Sequence, residues 1–393
     1  MELVEAYEAK CDPSLSRLLF TFLRMGLTAF GGPAMIPYVR KMAVGQQKWI
    51  DGDSFQDGVA LCQTIPGATV MQMAAYIGLK VRGVPGAMVS YIGFIFPAFV
   101  LMLALSYAYG RTHDLPAVLS VFSGLQAVIV AIVANATLSF GKTSLKRWKS
   151  LVIASVAAGL FWLMANPVII IILAALLGVL LNGRQPAVRS ASQSEKVPRT
   201  GIHVLLFLMI SAGGLALLFF FRKDLFRLAV LMMRIDCIAF GGGFASVPLM
   251  FHEVVEVRSW MDAPTFLNGI VLGQFTPGPI VITATFVGYL VRGFLGALIA
   301  SIGIFFPSFL ILIGTAPWFD RLRSSPWFTR AIGGILCSFV GLLLTVTVRF
   351  GLSVHWDLSH AALAVAAFVA LFCKVDILWV VLSGTAISAL AFK

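Results

Sequence analysis

Charge is what this chain has least of. Only 12% of its 393 residues are charged and 59% are hydrophobic, with a mean hydropathy of +0.95. A soluble globular chain carries about 25% charged residues, so a soluble domain is excluded. Acidic residues are scarcer than basic ones, 17 against 29, for a formal net charge of +12. No basic face with interleaved aromatics accompanies that excess. Nucleic acid is therefore excluded as a partner, and the excess reads as the loop bias of a membrane protein. The cysteines (Cys11, Cys62, Cys237, Cys337, Cys373) are odd in number and scattered. They make neither a disulfide framework nor a metal-ligand spacing. The five histidines are dispersed near segment ends, and no zinc-protease, Ser-His-Asp, paired-carboxylate or phosphate-loop motif is present. Enzymatic chemistry, a cofactor, a metal and ATP-driven work by this chain are not expected. Glu2, Glu5 and Glu8 stand where a cleaved signal peptide would be basic.

What is present is a duplication. Gln63-Thr64-Ile65-Pro66-Gly67 recurs as Gln274-Phe275-Thr276-Pro277-Gly278, and Phe30-Gly31-Gly32 as Phe240-Gly241-Gly242. Pro37, Trp49, Asp51 and Phe55 return as Pro248, Trp260, Asp262 and Phe266; Arg82-Gly83 and Phe96-Pro97 return as Arg292-Gly293 and Phe306-Pro307. The offset is 210 or 211 throughout. So many matches in one order define an internal repeat.

The predicted fold is an all-α polytopic membrane protein of about thirteen hydrophobic segments. Residues 1–14 form a polar, cytoplasmic N-terminus and 15–182 the first membrane repeat. A polar basic linker follows at 183–200, an extra transmembrane helix at 201–222, and the second repeat at 223–393. Six segments in each repeat and one between them place the second copy upside down, an inverted repeat of the kind secondary transporters use. If the Pro-Gly segments re-enter instead of spanning, that parity fails and the copies become parallel. With the N-terminus inside, the cytoplasmic loops hold Lys142, Lys146, Arg147 and Lys149. The connection carrying Arg40, Lys41 and Lys48 falls on the opposite side.

Pro66-Gly67 and Pro277-Gly278-Pro279 interrupt apolar segments that should otherwise be helical. Broken backbone survives at membrane depth only where protein buries it or a polar cavity lies against it. Each resumption of helix offers free amides, which attract anions. Gln63, Thr64, Gln274 and Thr276 stand beside these breaks as amide and hydroxyl donors. Gly31, Gly32, Gly241 and Gly242 mark a second pair of breaks, which either loosen the first helix of each repeat or permit close packing. Ionisable groups in mid-segment are costly and so informative. Arg24 and its counterpart Arg234 suit bidentate binding of an oxyanion, or a structural role on broken-helix carbonyls. Asp236 is the one acid deep in a segment and reads as a salt-bridge partner or a proton carrier for coupling.

With these motifs the chain resembles the chromate ion transporter family in its long, two-domain form. The likeness runs through Ala239–Pro248, Gly273–Pro279, Thr283–Tyr289, Phe30–Pro33, Trp49–Asp51 and Pro66–Gln72, and covers roughly residues 15–392. It implies export of chromate across the bacterial inner membrane, driven by a proton gradient or the membrane potential, with sulfate as a look-alike dianion. The partners it implies are the oxyanion and the lipid bilayer, with a homodimer left open. An anion channel is the rival from another class; an intramembrane enzyme would need an acid–base cluster that Asp236 alone does not make.

Overall fold

The computed structural model describes residues 13–28, 30, 35–181 and 200–391. The linker 183–199 and the predicted breaks at Gly31 and Gly32 lie outside the described residues. Every element is helical among those described. In the first repeat these are α1 (Leu15–Thr28), α2 (Ile36–Arg40, continued by a wide turn to Gln46), α3 (Gly52–Thr64), α4 (Thr69–Thr112), α5 (Pro116–Ser144), α6 (Trp148–Trp162) and α7 (Pro167–Leu181). Helix α8 (Gly201–Phe221) stands between the repeats. The second repeat holds α9 (Lys223–Ile238), α10 (Gly243–Phe251, continued to Val257), α11 (Ala263–Phe275), α12 (Thr283–Thr315), α13 (Phe319–Arg323), α14 (Pro326–Ser353), α15 (Leu358–Phe372) and α16 (Ile377–Ala391).

The thirteen expected segments do not map onto thirteen spanning helices. Among the described residues, five helices are long and apolar enough to cross a membrane: those over 69–112, 118–144, 201–221, 280–318 and 326–353. At 13 residues, α3 is about 20 Å long, well short of a hydrocarbon core of about 30 Å.

The short helices pair as hairpins that enter and return. Gly58 of α3 lies so close to Tyr76 of α4 that a Cβ on it would sit 2.5 Å from the ring. Two helices continuing in one direction through the Pro66 break would hold those residues about 30 Å apart; the chain therefore reverses there. Gly269 and Phe286 make the same contact, at 2.4 Å, around the Pro277 break. The first segment of each repeat reverses too. Arg17 of α1 donates to the Gln47 amide oxygen at 2.9 Å, and Arg234 of α9 pairs with Glu253 beyond α10. Both long helices α4 and α12 also fold back, at Arg82-Gly83 and Arg292-Gly293, where the backbone leaves the helical region.

Because both the first and the second segment of each repeat re-enter, the even parity is restored. The turn at Arg82 bonds Pro13 at the start of α1, at 2.8 Å, and the turn at Arg292 bonds Asp224 at the start of α9, at 2.6 Å. The long arm of α12 runs from the Arg292 turn to Ile313, about 30 Å away, where Ile313 O accepts from Thr200 at the start of α8. Just beyond, Arg323 pairs with Asp57 of α3 at 3.3 Å. The first repeat therefore opens at one end of the bundle, the N-terminal end, and the second at the far end.

One expectation is corrected. The 40–50 connection does not lie opposite the N-terminus, because α1 and α2 form a returning hairpin; it lies at the N-terminal end. Arg40, Lys41 and Lys48 thus join Lys142, Lys146, Arg147, Lys149, Arg321 and Arg323 there, a stronger one-sided bias than the sequence reading had. At the far end the cations stand among acids, with Arg222 and Arg292 on Asp224. There too Asp357 caps α15, and the hydrogen bonds from the His360 backbone and ring hold its carboxyl below the ordinary value. Cysteine-accessibility labelling tests the arrangement. A tag at 45 should react from the same face as one at 146, and a tag at 257 from the other; labelling of 45 and 257 from one face would overturn the inversion.

Candidate functional site

The breaks converge. Gly67 has φ +112 and Gly278 φ +114, the left-handed region open to glycine at no steric cost. The N–H of Gly67 donates to Ala239 O at 3.0 Å, joining the first repeat's Pro-Gly tip to the α9–α10 break. Gly241 and Gly242 form that break with φ +95 and +89. A Cβ on Gly242 would stand 3.4 Å from Thr69 Oγ1, and one on Gly243 3.0 Å from Val281, just past the Pro277 tip. The three breaks among the described residues therefore meet, and they bring together the N-termini of the short arm of α4 and of α10.

A cavity of about 1040 Å3 opens from the N-terminal end onto this meeting point. Lys146 and Arg147 line it, and Gln63, Thr69 and Gly241 line its inner reach; among the described residues no carboxylate lines it. At the far end the matching space is filled. Phe251 packs on Phe350 at 4.9 Å and on Phe266 at 5.6 Å between ring centres. Pro37 and Phe140, on the open cavity, are exposed and half-buried, whereas Pro248 and Phe350 are buried. Among the described residues, the first repeat leaves space where the second is packed.

The predicted donors fare unequally. Gln63 lies on the cavity. The Thr64 and Thr276 hydroxyls donate to Leu61 O and Gly273 O, each at 2.8 Å, so they cap their own helices. Pro66, Gly67, Pro277 and Gly278 are all buried. Gln274 Nε2 is buried with no partner, as is Gln72 Oε1, while Gln72 Nε2 ties the first tip by donating to Pro66 O at 2.6 Å. Asp236 is 1% exposed and accepts the Ser308 N–H at 2.7 Å; no ion pair reaches it among the described residues. Ser308 is also the residue Gly67 packs on, and Tyr91 donates to the adjoining Phe305 O at 2.7 Å.

Arg24 and Arg234 are not brought together. Arg24 is exposed and lines a separate cavity of about 760 Å3 beside α1, with Arg17, Lys41 and Asp376. Arg234 is bound to Glu253, which also holds Arg258. Arg349 pairs with Glu256, which accepts from His252 at 2.8 Å. The sequence reading missed this network; its only trace was a pair of acids, Glu253 and Glu256, in a stretch whose first-repeat counterparts are Met42 and Gly45.

Comparison with known proteins agrees with the repeat. A family model described as chromate transporter matches twice, over residues 16–179 and 226–389. An uncharacterized transporter of Methanocaldococcus jannaschii is 42% identical over 379 residues, 95% of this chain and 94% of that protein. A chromate transport protein of Cupriavidus metallidurans is 29% identical over 363 residues, 92% and 88% of the two chains. A probable chromate transport protein of Synechococcus elongatus is 28% identical over 375 residues, 91% and 89%. No solved structure matches. A family match over both halves of a membrane-embedded, duplicated helical bundle makes this chain a member of the chromate transporter family.

Proposed function

We propose that the protein is a secondary transporter that exports chromate across the bacterial inner membrane, with its N-terminal end in the cytoplasm. The observation that carries this reading is the carboxylate-free cavity with Lys146 and Arg147 along it and the convergent breaks within it. A tetrahedral dianion entering such a space needs cations to draw it in and fixed donors to replace its water. Lys146 and Arg147 supply the first. The free amides around Thr69 and Gly241-Gly242, with the Gln63 side chain, supply the second. The one-sided basic loops favour the N-terminal end as cytoplasmic, so the chain stands open inward. The family relatives named for chromate give the substrate; sulfate has the same shape and charge and is the competitor to test.

Coupling falls to Asp236. It is a buried carboxyl with no cationic partner, two residues before Ile238 closes α9 and in contact, through Ser308, with the Gly67 tip. A group so placed can sense the meeting of the two breaks. Labelled chromate and sulfate flux into proteoliposomes, under an imposed pH gradient or potential, tests the whole reading. The parent should accumulate chromate in response to one of the gradients. Asp236→Asn should still exchange chromate at equilibrium but lose the response to the pH gradient. Large uncoupled currents would make the protein a channel, and an unaltered pH response in Asp236→Asn would remove that residue from coupling.

A further inference from the structure

The cavity that holds Arg24 shares no lining residue with the one proposed for transport, and among the described residues its charge is unbalanced where its twin in the second repeat is not. Arg234 has Glu253, and Arg349 has Glu256. At the corresponding first-repeat positions stand Met42 and Gly45, so Arg24 has lost the acid its counterpart keeps. Arg17 spends one N–H on the Gln47 amide, which leaves its charge intact. Lys41 adds a third cation, and Asp376, from the α15–α16 turn, is the one carboxylate among the described residues that line the cavity.

The surroundings point to an amphiphile. Phe20, Tyr38 and Trp379 line the same cavity and are 67%, 65% and 66% exposed. Arg24 lies nine residues into α1, about 13 Å below its start. Helical side chains lean toward the N-terminus, so its guanidinium reaches back toward Arg17 and the N-terminal end. Charged heads there and aromatic rings beside them match the depth at which lipid headgroups meet acyl chains.

We propose that this cavity binds the phosphate group of an anionic phospholipid, with Arg24, Arg17 and Lys41 on the phosphate and Phe20, Tyr38 and Trp379 along the upper acyl chain. A free oxyanion would satisfy the same cations but would leave the aromatic rim without a role. The proposal is independent of the transport reading, since lipid binding can be read on protein that moves nothing.

The test is native mass spectrometry of the purified full chain in neutral detergent, titrated with short-chain phosphatidylglycerol, phosphatidylcholine, inorganic phosphate or chromate. Phosphatidylglycerol should bind saturably and phosphatidylcholine should not. Arg24→Gln should weaken phosphatidylglycerol at least about fivefold, the worth of one cation near a membrane surface. Met42→Glu restores the acid of the second repeat, pairs with Arg24 and should abolish binding without loss of thermal stability. If Met42→Glu does not fold, the Arg24→Gln titration decides alone. Parent-like binding of phosphatidylglycerol by Arg24→Gln would overturn the site. Inorganic phosphate or chromate displacing the lipid at equal concentration would make it a free-oxyanion site and overturn the lipid assignment.

Discussion

Gly67→Ala is expected to abolish transport, while Gly278→Ala, its counterpart, should only weaken it. Both glycines have nearly the same positive φ, so both substitutions carry the same backbone cost, about 1–2 kcal/mol. They differ in what the new methyl group meets. On Gly278 it would lie 3.1 Å from Ala98 Cβ, which a small shift relieves; on Gly67 it would lie 2.3 Å from Ser308 Cβ, which nothing short of moving a helix relieves. The tip would retract, breaking the Gly67 N–H bond to Ala239, or α12 would yield and disturb the Ser308 N–H bond to Asp236. Either way the meeting of the breaks is lost. Flux and thermal stability measured together separate this from misfolding. Ser308→Gly in the Gly67→Ala background removes the opposing carbon and should recover part of the flux. Normal flux in Gly67→Ala alone would mean that the tip does not need to stand where it does.

Glu253→Gln should destabilise the fold by about 1–3 kcal/mol, because it leaves Arg234 and Arg258 without their shared acid. The Glu253 side chain is 5% exposed, but the guanidinium side chains it holds are 37% and 30% exposed, so water takes up part of the loss. Arg234→Gln should lose less, since Arg258 still satisfies the carboxylate, and the double variant should be more stable than Glu253→Gln. Chromate affinity in folded Arg234→Gln should match the parent. Denaturation midpoints give the first result and equilibrium binding the second. A large loss of affinity with unchanged stability would return Arg234 to the substrate.

The repeats, the breaks and the long crossings at α5, α8 and α14 were legible because each leaves a local mark: a matched motif, a Pro-Gly interruption, an unbroken apolar run. The direction taken after a break leaves none. The composition of residues 52–64 and 69–81 is the same whether the second continues or returns; what decides is the contact of Gly58 with Tyr76, eighteen residues on and across the break. The parity argument was therefore sound in form and miscounted in content, with two re-entries per repeat whose effects cancel. Residue type made Arg24 and Arg234 look alike, and the one local difference, Asp236 where the first repeat has Gly26, turns to the Ser308 N–H. The difference is supplied by Glu253, nineteen residues downstream of Arg234 and facing it only after the chain has turned back.

The shut far end, with Phe350 wedged against Phe251, and the open near end, with Phe140 beside empty space, are two answers given by one ancestral sequence. If the protein is the secondary transporter proposed, a chain built from head-to-foot copies carries both halves of its own cycle at once. Exchanging the postures of the copies would draw Phe350 off Phe251 and close Phe140 on α2, where Arg40 stands at the position of Phe251. The molecule is thus its own blueprint for the opposite state, and a distance between labels on α10 and α14 would report the exchange.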